Sequence, residues 1–90
     1  MIYHNSTNHF TDLLCKMISI EEKYLKTLGE NISRIRRLNN FSQLDICAII
    51  SMEKPNLSSI ENGRQNPTTL TLKKIADAIG VEVKEFFDFD

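Results

Sequence analysis

A short polar segment, residues 54–62, carries side chains suited to hydrogen bonding on one face of a helix. On a helical wheel, Leu57 and Ile60 fall on the inner side together with Glu61. The opposite side carries one proline and three short polar residues, and its flanks carry a lysine and an asparagine: Pro55, Ser58, Ser59 and Asn62, with Lys54 and Asn56 on the flanks. An outward helix face of this composition suits the major groove of DNA, where side chains meet base edges.

The donors on this face are few. Lys54 can donate to guanine O6 or N7, the hydroxyls of Ser58 and Ser59 can donate or accept, and Pro55 offers only apolar contact, for instance to a thymine methyl. We therefore expect modest direct base specificity, supplemented by DNA shape. The alternative is that these side chains are merely solvated.

Other chemistry has little support in the sequence. No Ser/His/Asp set, glycine-rich phosphate loop or clustered carboxylate pair is present, so we predict no enzyme and no catalytic residue. His4, His9 and Cys15 match no usual zinc spacing and lack a fourth ligand, so no metal site is predicted. No second domain is available to hold an effector, and no cofactor is expected. Cys47 lies on an apolar helix stripe and is interpreted as a structural thiol.

Two short helices separated by a three-residue turn position the polar face. The first begins after Ser42, which with Asp45 approaches a capping box, and buries Ile46, Cys47 and Ile50. The turn is Ser51-Met52-Glu53, Pro55 falls in the first turn of the next helix, and Asn62-Gly63 ends it.

This pattern resembles the lambda-repressor-like (Cro/CI-type, xenobiotic-response-element) helix-turn-helix family. The resemblance rests on Ser42-Gln43, on the Ile60-Glu61-Asn62-Gly63 ending and on Asn66-Pro67, and it extends from about Leu28 to Phe87. It implies an all-α, five-helix DNA-binding domain. Ser51 departs from the glycine that the family often has at that position, which implies slight strain or a different turn.

The resemblance also implies roles for individual residues on double-stranded DNA. Lys54, Pro55 and Ser59 occupy positions that commonly meet base edges, with Ser58 beside them. Phosphate contacts are implied for residues around the second helix, the following loop and the first helix: Ser42, Gln43, Asn62, Arg64 and Arg37. Gln43 has the alternative of completing local capping only, and Arg37 that of plain surface.

Arg36 and Glu61 occupy positions that the family fills with an ion pair beneath the motif. We interpret this pair as structural, because it would fix the first family helix against the recognition helix. The alternative is that the pair also orients Arg36 toward a phosphate.

The rest of the chain reads as further helices. Apolar spacing predicts one helix over about 10–18 and another over about 20–39, with possible interruptions near Ser19 or Gly29. A fourth family helix follows Thr68 or Thr69, and a short fifth contains Phe86 and Phe87. We divide the chain into an N-terminal extension (1–27), the helix-turn-helix domain (28–87) and a tail (88–90); the resemblance does not explain the extension.

The charge distribution favours the same region. The 90 residues carry a net charge of −1, yet residues 31–66 hold five basic side chains against three acids. No apolar run reaches the roughly 18 residues of a membrane span, and no secretion signal is evident. Two unpaired cysteines fit a reducing cytoplasm.

The expected function is therefore that of a cytoplasmic, sequence-specific transcriptional regulator, most simply a homodimeric repressor. Pairing through the Phe86 and Phe87 region or the N-terminal segment would set two recognition helices about 34 Å apart. The alternatives are a monomer in which both phenylalanines close the core, and an antitoxin-type or other interaction module that binds a partner protein through its N-terminal segment and autoregulates. Four apolar residues fall where the family usually shows charged or polar side chains, so we expect either the N-terminal helix or a second copy to cover them: Leu38, Leu44, Ile49 and Leu70.

Overall fold

The computed structural model describes the backbone of residues 2–89 and the side chains of residues 9–89. Within that part of the chain there are four α-helices and one 3-10 helix. The α-helices are α1 (Ile2–Leu38), α2 (Gln43–Ile50), α3 (Lys54–Glu61) and α4 (Thr69–Ile79), and the 3-10 helix is Val83–Phe87. The all-α prediction is confirmed, with a 3-10 helix in place of the fifth α-helix.

Helix α1 is a single helix of 37 residues, so the prediction of two helices over 10–18 and 20–39 is wrong. Neither suspected interruption breaks it. Serine is tolerated in a helix interior at a cost of a few tenths of a kcal/mol, and Ser19 is such a residue. Gly29 lies against the end of α3, where an added Cβ would collide with the main-chain oxygens of Ile60 and Glu61. Its glycine therefore permits a close helix contact rather than a break.

The caps around α2 and α3 follow the sequence closely. The N–H of Asp45 donates to Ser42 Oγ at 3.0 Å, and the N–H of Ser42 donates to Asp45 Oδ2 at 2.8 Å, which completes the capping box. Ser51 ends α2 in the left-handed conformation, with φ at 57°. Pro55 falls in the first turn of α3. The predicted turn therefore forms, with the strained backbone carried by a serine.

The remaining elements close the domain. The Thr68 hydroxyl accepts the N–H of Thr71 at 3.1 Å and begins α4, which Gly80 ends at φ 93°. Asn31 on α1 donates its side-chain amide to the carbonyl oxygens of Phe86 at 3.0 Å and Asp88 at 3.2 Å. These two bonds fasten the C-terminal segment to α1.

One core lies among these helices. Its fully buried large side chains come from every element: Ile32, Ile46, Leu57, Ile60, Ile75 and Phe86. Because Phe86 is 0% exposed, its side chain closes the core and offers no surface to a partner, while pairing through the wider Phe86 and Phe87 region stays a prediction. Phe87 remains 37% exposed.

Several apolar side chains lie outside the core. Leu38, Leu44, Ile49 and Leu70 are each exposed over more than half of their surface, so the N-terminal part of α1 does not cover them. That part of α1 is itself uncovered: every described side chain from His9 to Tyr24 is exposed, and Leu28 is the first buried one.

Candidate nucleic-acid interface

Helix α3 projects its first turn away from the core. Lys54, Pro55 and Asn56 are all exposed, whereas Leu57 and Ile60 are 0% and 1% exposed. Ser58 and Ser59 are half-buried. The face that the sequence predicts is therefore open to solvent at its N-terminal end and narrower toward its C-terminal end.

Asn56 is a side chain on this face that was not among the predicted base-reading residues. Because the first turn stands clear of the core, Asn56 is exposed, as Lys54 is. Asparagine is a bidentate partner for adenine N6 and N7 in the major groove. The sequence does contain a signal for this exposure: three residues, Lys54 to Asn56, precede Leu57, the first apolar residue of α3. All three can therefore face solvent, whatever their position on the helical wheel.

A buried ion pair holds α3 in place. Arg36 Nε donates to Glu61 Oε2 at 2.7 Å, and Arg36 Nη2 donates to Glu61 Oε1 at 3.0 Å. Arg36 Nη1 also donates to the carbonyl oxygen of Phe41 at 2.7 Å. The two side chains are only 8% and 5% exposed. A guanidinium engaged through all three nitrogens is committed to holding α1 against α3, which is the structural role expected for it.

Gln43 extends this pair to a third helix. Its amide Nε2 donates to Glu61 Oε1 at 2.9 Å, so a single carboxylate joins α1, α2 and α3. Gln43 is half-buried, and it opens α2 at the end where the first N–H groups lack intrahelical partners. Its side chain is therefore oriented by the carboxylate, and its role goes beyond local capping.

The capping box occupies the other residue predicted at this helix end. Ser42 both donates and accepts within the box, so its backbone N–H and its hydroxyl oxygen are already engaged within the protein. The hydrogen bonds from the backbone and hydroxyl of Ser42 lower the pKa of the Asp45 carboxyl from 3.8. Asp45 is thus ionised at neutral pH, and its charge opposes a phosphate placed directly over Ser42.

The three other residues predicted to contact phosphate, Asn62, Arg64 and Arg37, differ in whether their side chains already make hydrogen bonds within the protein. Asn62 turns its amide nitrogen back to the carbonyl oxygen of Ser58 at 2.9 Å, so it mainly closes the helix. Arg64 is exposed, and no acidic partner lies within 4.0 Å of it among the described side chains. Arg37 is exposed and donates to the carbonyl oxygen of Ser33 at 3.3 Å. Of these three side chains, only that of Arg64 makes no hydrogen bond or ion pair with another described residue, so its guanidinium is unengaged.

The loop carrying Arg64 is held close to α1. Gly63 has φ at 73°, and a Cβ there would lie 2.6 Å from Lys26 Cα. Only glycine satisfies both the backbone conformation and this approach. Helix α1 thus packs against the loop after α3 at Gly63 and against α3 itself at Gly29.

The cysteines show no sign of a reactive site. Burial and the nearby Glu61 charge raise the pKa of the Cys47 thiol, so it stays protonated. Cys15 is exposed on α1. Among the described residues no three His, Cys, Asp or Glu side chains converge as a metal site, and His4 lies outside the described side chains. Within the same part of the chain, no helix has the length and apolarity to cross a membrane.

Comparison with known proteins identifies the fold. The model of the helix-turn-helix family matches residues 32–86. An uncharacterised HTH-type transcriptional regulator of Sinorhizobium fredii is 41% identical over 56 residues, which cover 62% of this chain and 73% of the regulator. The control protein C.MunI of a Mycoplasma species is 32% identical over 60 residues, covering 66% of this chain and 81% of that protein. The immunity repressor protein of Bacillus phage phi105 is 32% identical over 57 residues, covering 63% of this chain and 40% of the repressor.

Two solved structures share the architecture. The restriction-modification controller protein C.AhdI from Aeromonas hydrophila aligns with a TM-score of 0.67 at 22% identity, over 70% of this chain and 96% of that one. A hypothetical transcription factor from Neisseria aligns with a TM-score of 0.65 at 23% identity, over 73% of this chain and 76% of that one. At these identities the likeness concerns the fold alone. With its family model spanning more than half of the sequence, the chain belongs to the helix-turn-helix family of DNA-binding transcriptional regulators.

Proposed function

We propose that this protein is a sequence-specific repressor that binds double-stranded DNA as a homodimer in the cytoplasm, with α3 in the major groove. The observation that carries the proposal is the exposed first turn of α3 on a helix fixed by the Arg36–Glu61 pair. A reading helix must present its side chains without reorganising, and a buried, doubly hydrogen-bonded pair supplies that rigidity.

Base reading is assigned to the open face. Lys54 and Asn56 carry the longer hydrogen-bonding side chains, and Pro55 supplies apolar contact. The hydroxyls of the half-buried Ser58 and Ser59 would contact bases that approach the C-terminal part of α3. Two hydrogen-bonding heads and two hydroxyls give limited direct specificity, so the sequence dependence of DNA shape contributes as well.

Phosphate contacts frame this face. Gln43, oriented by Glu61, lies at the start of α2, and Arg64 extends from the loop after α3. Ser42, Asn62 and Arg37 are secondary contributors, because each already makes hydrogen bonds within the protein. These contacts set register and affinity and carry no base information directly.

The experiment is selection of bound duplexes from a random pool, read by sequencing, with the full chain and single variants. Lys54→Ala is expected to change the selected consensus, with a loss of about 1–3 kcal/mol at one base position. Arg64→Ala is expected to weaken all sites alike and to reduce the dependence of affinity on salt by about one ion.

Lys74→Ala is the matched control, since it removes an exposed lysine from α4 instead of α3. It should leave the consensus unchanged. An unaltered consensus for Lys54→Ala as well would show that α3 does not read bases. Binding that is insensitive to salt would contradict the phosphate contacts.

A second candidate function is favoured by one observation, the exposed apolar side chains on the N-terminal part of α1. In an antitoxin-type or similar module that segment would bind a different protein, and DNA binding would be autoregulatory. Stoichiometric co-purification of a second polypeptide from the native host supports this candidate. Full operator binding and dimerisation by the isolated chain support the homodimeric repressor.

A further inference from the structure

The N-terminal part of α1 carries an uncovered apolar row. Its members follow the alternating three- and four-residue spacing of a coiled-coil seam and are 49–68% exposed: Phe10, Leu13, Met17, Ile20 and Tyr24. The side opposite this row carries polar or small side chains at Asp12, Cys15, Ser19 and Glu22, and two further exposed apolar side chains, Leu14 and Ile18, flank the row. A helix with this division buries its apolar side against something, and the described part of the chain has nothing there.

The charges beside the row select the occupant. If Phe10, Met17 and Tyr24 take the first (a) position of the heptad, Lys16 falls at position g on one edge of the seam. Glu21 falls five residues later, at position e on the other edge. In a parallel pair of identical helices this places Lys16 next to Glu21 of the partner subunit, twice by symmetry. In an antiparallel pair the Lys16 sides would face each other, which brings like charges together.

The C-terminal segment sets where the row ends. Tyr24 stacks edge-on against Phe89 with ring centroids 5.0 Å apart, and Phe89 lies 6.1 Å from the partly exposed Phe87. Two turns further on, the side-chain amide of Asn31 donates to the carbonyl oxygens of Phe86 and Asp88. Beyond Tyr24 the seam face is therefore occupied by the chain itself, and the aromatic cluster extends the apolar row sideways.

We infer that residues 10–24 of α1 form a parallel two-stranded coiled coil with a second copy of this chain, capped by the Tyr24, Phe87 and Phe89 cluster. This assigns an interface to the homodimer of the proposed function, on which it rests for its consequence on DNA. A parallel pair places both helix-turn-helix domains at the same end of the coil, where two α3 helices can reach one duplex. The seam covers little more than two heptads, so the dimer is expected to dissociate on dilution.

The first test is the oligomeric state of the full chain by sedimentation equilibrium over a dilution series. Met17→Glu introduces a charge at the centre of the seam and is expected to raise the dimer dissociation constant at least about 100-fold, since both methionines lose their burial. Ser19→Glu adds the same charge two residues away on the outer side and should leave the dissociation constant unchanged. Met17 is exposed in the single chain, so neither variant should alter the circular dichroism spectrum.

Charge exchange tests the pairing. Lys16→Glu and Glu21→Lys should each weaken the dimer about fivefold, and the double exchange should restore it, because the attraction is re-formed with its signs reversed. A dimer equally strong with Lys16→Glu, with Glu21→Lys and with the double exchange would overturn the parallel arrangement, because in that arrangement each single exchange brings like charges together in both copies.

Cross-linking tests the orientation. In a Cys15→Ser background, Leu13→Cys places identical thiols across the seam of a parallel coil, close enough for a disulfide under mild oxidation. Ser19→Cys in the same background should give no cross-link. A dimer that resists Met17→Glu, or a Leu13→Cys variant that does not cross-link, overturns the inference. A chain that is monomeric at all concentrations yet still binds duplexes overturns the coil and leaves the DNA-binding function intact.

Discussion

The two halves of α1 have the same amphipathic pattern and opposite fates. From Leu28 to Ile35 the apolar positions are buried, with Ile32 at 0% exposure, whereas Ile18, two heptads before Ile32, is 48% exposed. The helix is continuous across both halves, so secondary structure does not distinguish them. Apolar periodicity therefore specifies a face to be buried, while the elements that follow in the chain determine which part of the face is covered.

The largest effect is expected at the ion pair beneath the covered half. Arg36→Ala leaves the Glu61 carboxylate buried without its partner and should lower the free energy of unfolding by about 3–5 kcal/mol. Chemical denaturation followed by circular dichroism measures it. Arg37→Ala, at the next position and exposed, should change stability by less than about 0.5 kcal/mol. If Arg36→Ala abolished DNA binding without changing stability, the role of Arg36 would be DNA contact and not stabilisation of the fold.

A pair of identical substitutions tests the comparison directly. Ile32→Ala empties a fully buried position and should cost about 3 kcal/mol. Ile18→Ala removes an exposed side chain and should cost less than about 0.5 kcal/mol in dilute protein. Equal losses for the two variants, measured by denaturant titration, would mean that the uncovered half packs on the domain.

The contact between α1 and α3 gives a smaller, geometric effect. Gly29→Ala introduces a Cβ against the main-chain oxygens of Ile60 and Glu61, and we expect a net loss of about 2 kcal/mol although alanine favours helix. Ser19→Ala in the uncovered half meets no such obstacle and should stabilise the helix by a few tenths of a kcal/mol. Thermal unfolding of both variants measures whether Gly29 is needed for the close approach of α1 and α3. Stabilisation by Gly29→Ala would show that it is not.

The smallest effect is expected at the α2 cap. Ser42→Ala should cost about 1 kcal/mol through the lost capping bond. The pKa of Asp45 is lowered in the folded state, so its contribution is present above its ordinary value of 3.8 and is lost as pH falls through the lower folded value. Asp45→Asn should therefore flatten the acid limb of stability below about pH 4. An unchanged acid limb in denaturation series at several pH values would argue against the cap's role.

Local chemistry made much of this fold predictable from the sequence. Ser42 with Asp45, Pro55 in the first turn and Gly80 at a helix end are short-range rules, and the structure contains each of them. The buried stripes of α2 and α3 follow from apolar spacing alone, although Ile50, predicted in the α2 stripe, is only half-buried. The Arg36–Glu61 pair came from the family resemblance, because no local rule joins residues 25 positions apart.

The features that escaped the sequence depend on tertiary contact. The sequence suggests an interruption at Gly29, and only the contact with α3 explains that glycine. The sequence also leaves Phe86 open between a dimer interface and the core, and the C-terminal segment fastened by Asn31 is what buries it. The half-burial of Ser58 and Ser59 and the openness of Asn56 reflect how far α3 projects from the core. A helical wheel shows which way each side chain points around the helix axis. It contains no information on how far the helix end extends beyond the core.

The protruding first turn of α3 has an evolutionary consequence. Lys54, Pro55 and Asn56 lie outside the packed interior, whereas the residues that orient the helix, Glu61 among them, lie several positions later. Mutations at the three leading positions are thus nearly neutral for folding. A lineage built on this scaffold can exchange one recognition code for another in single steps, without passing through unfolded intermediates.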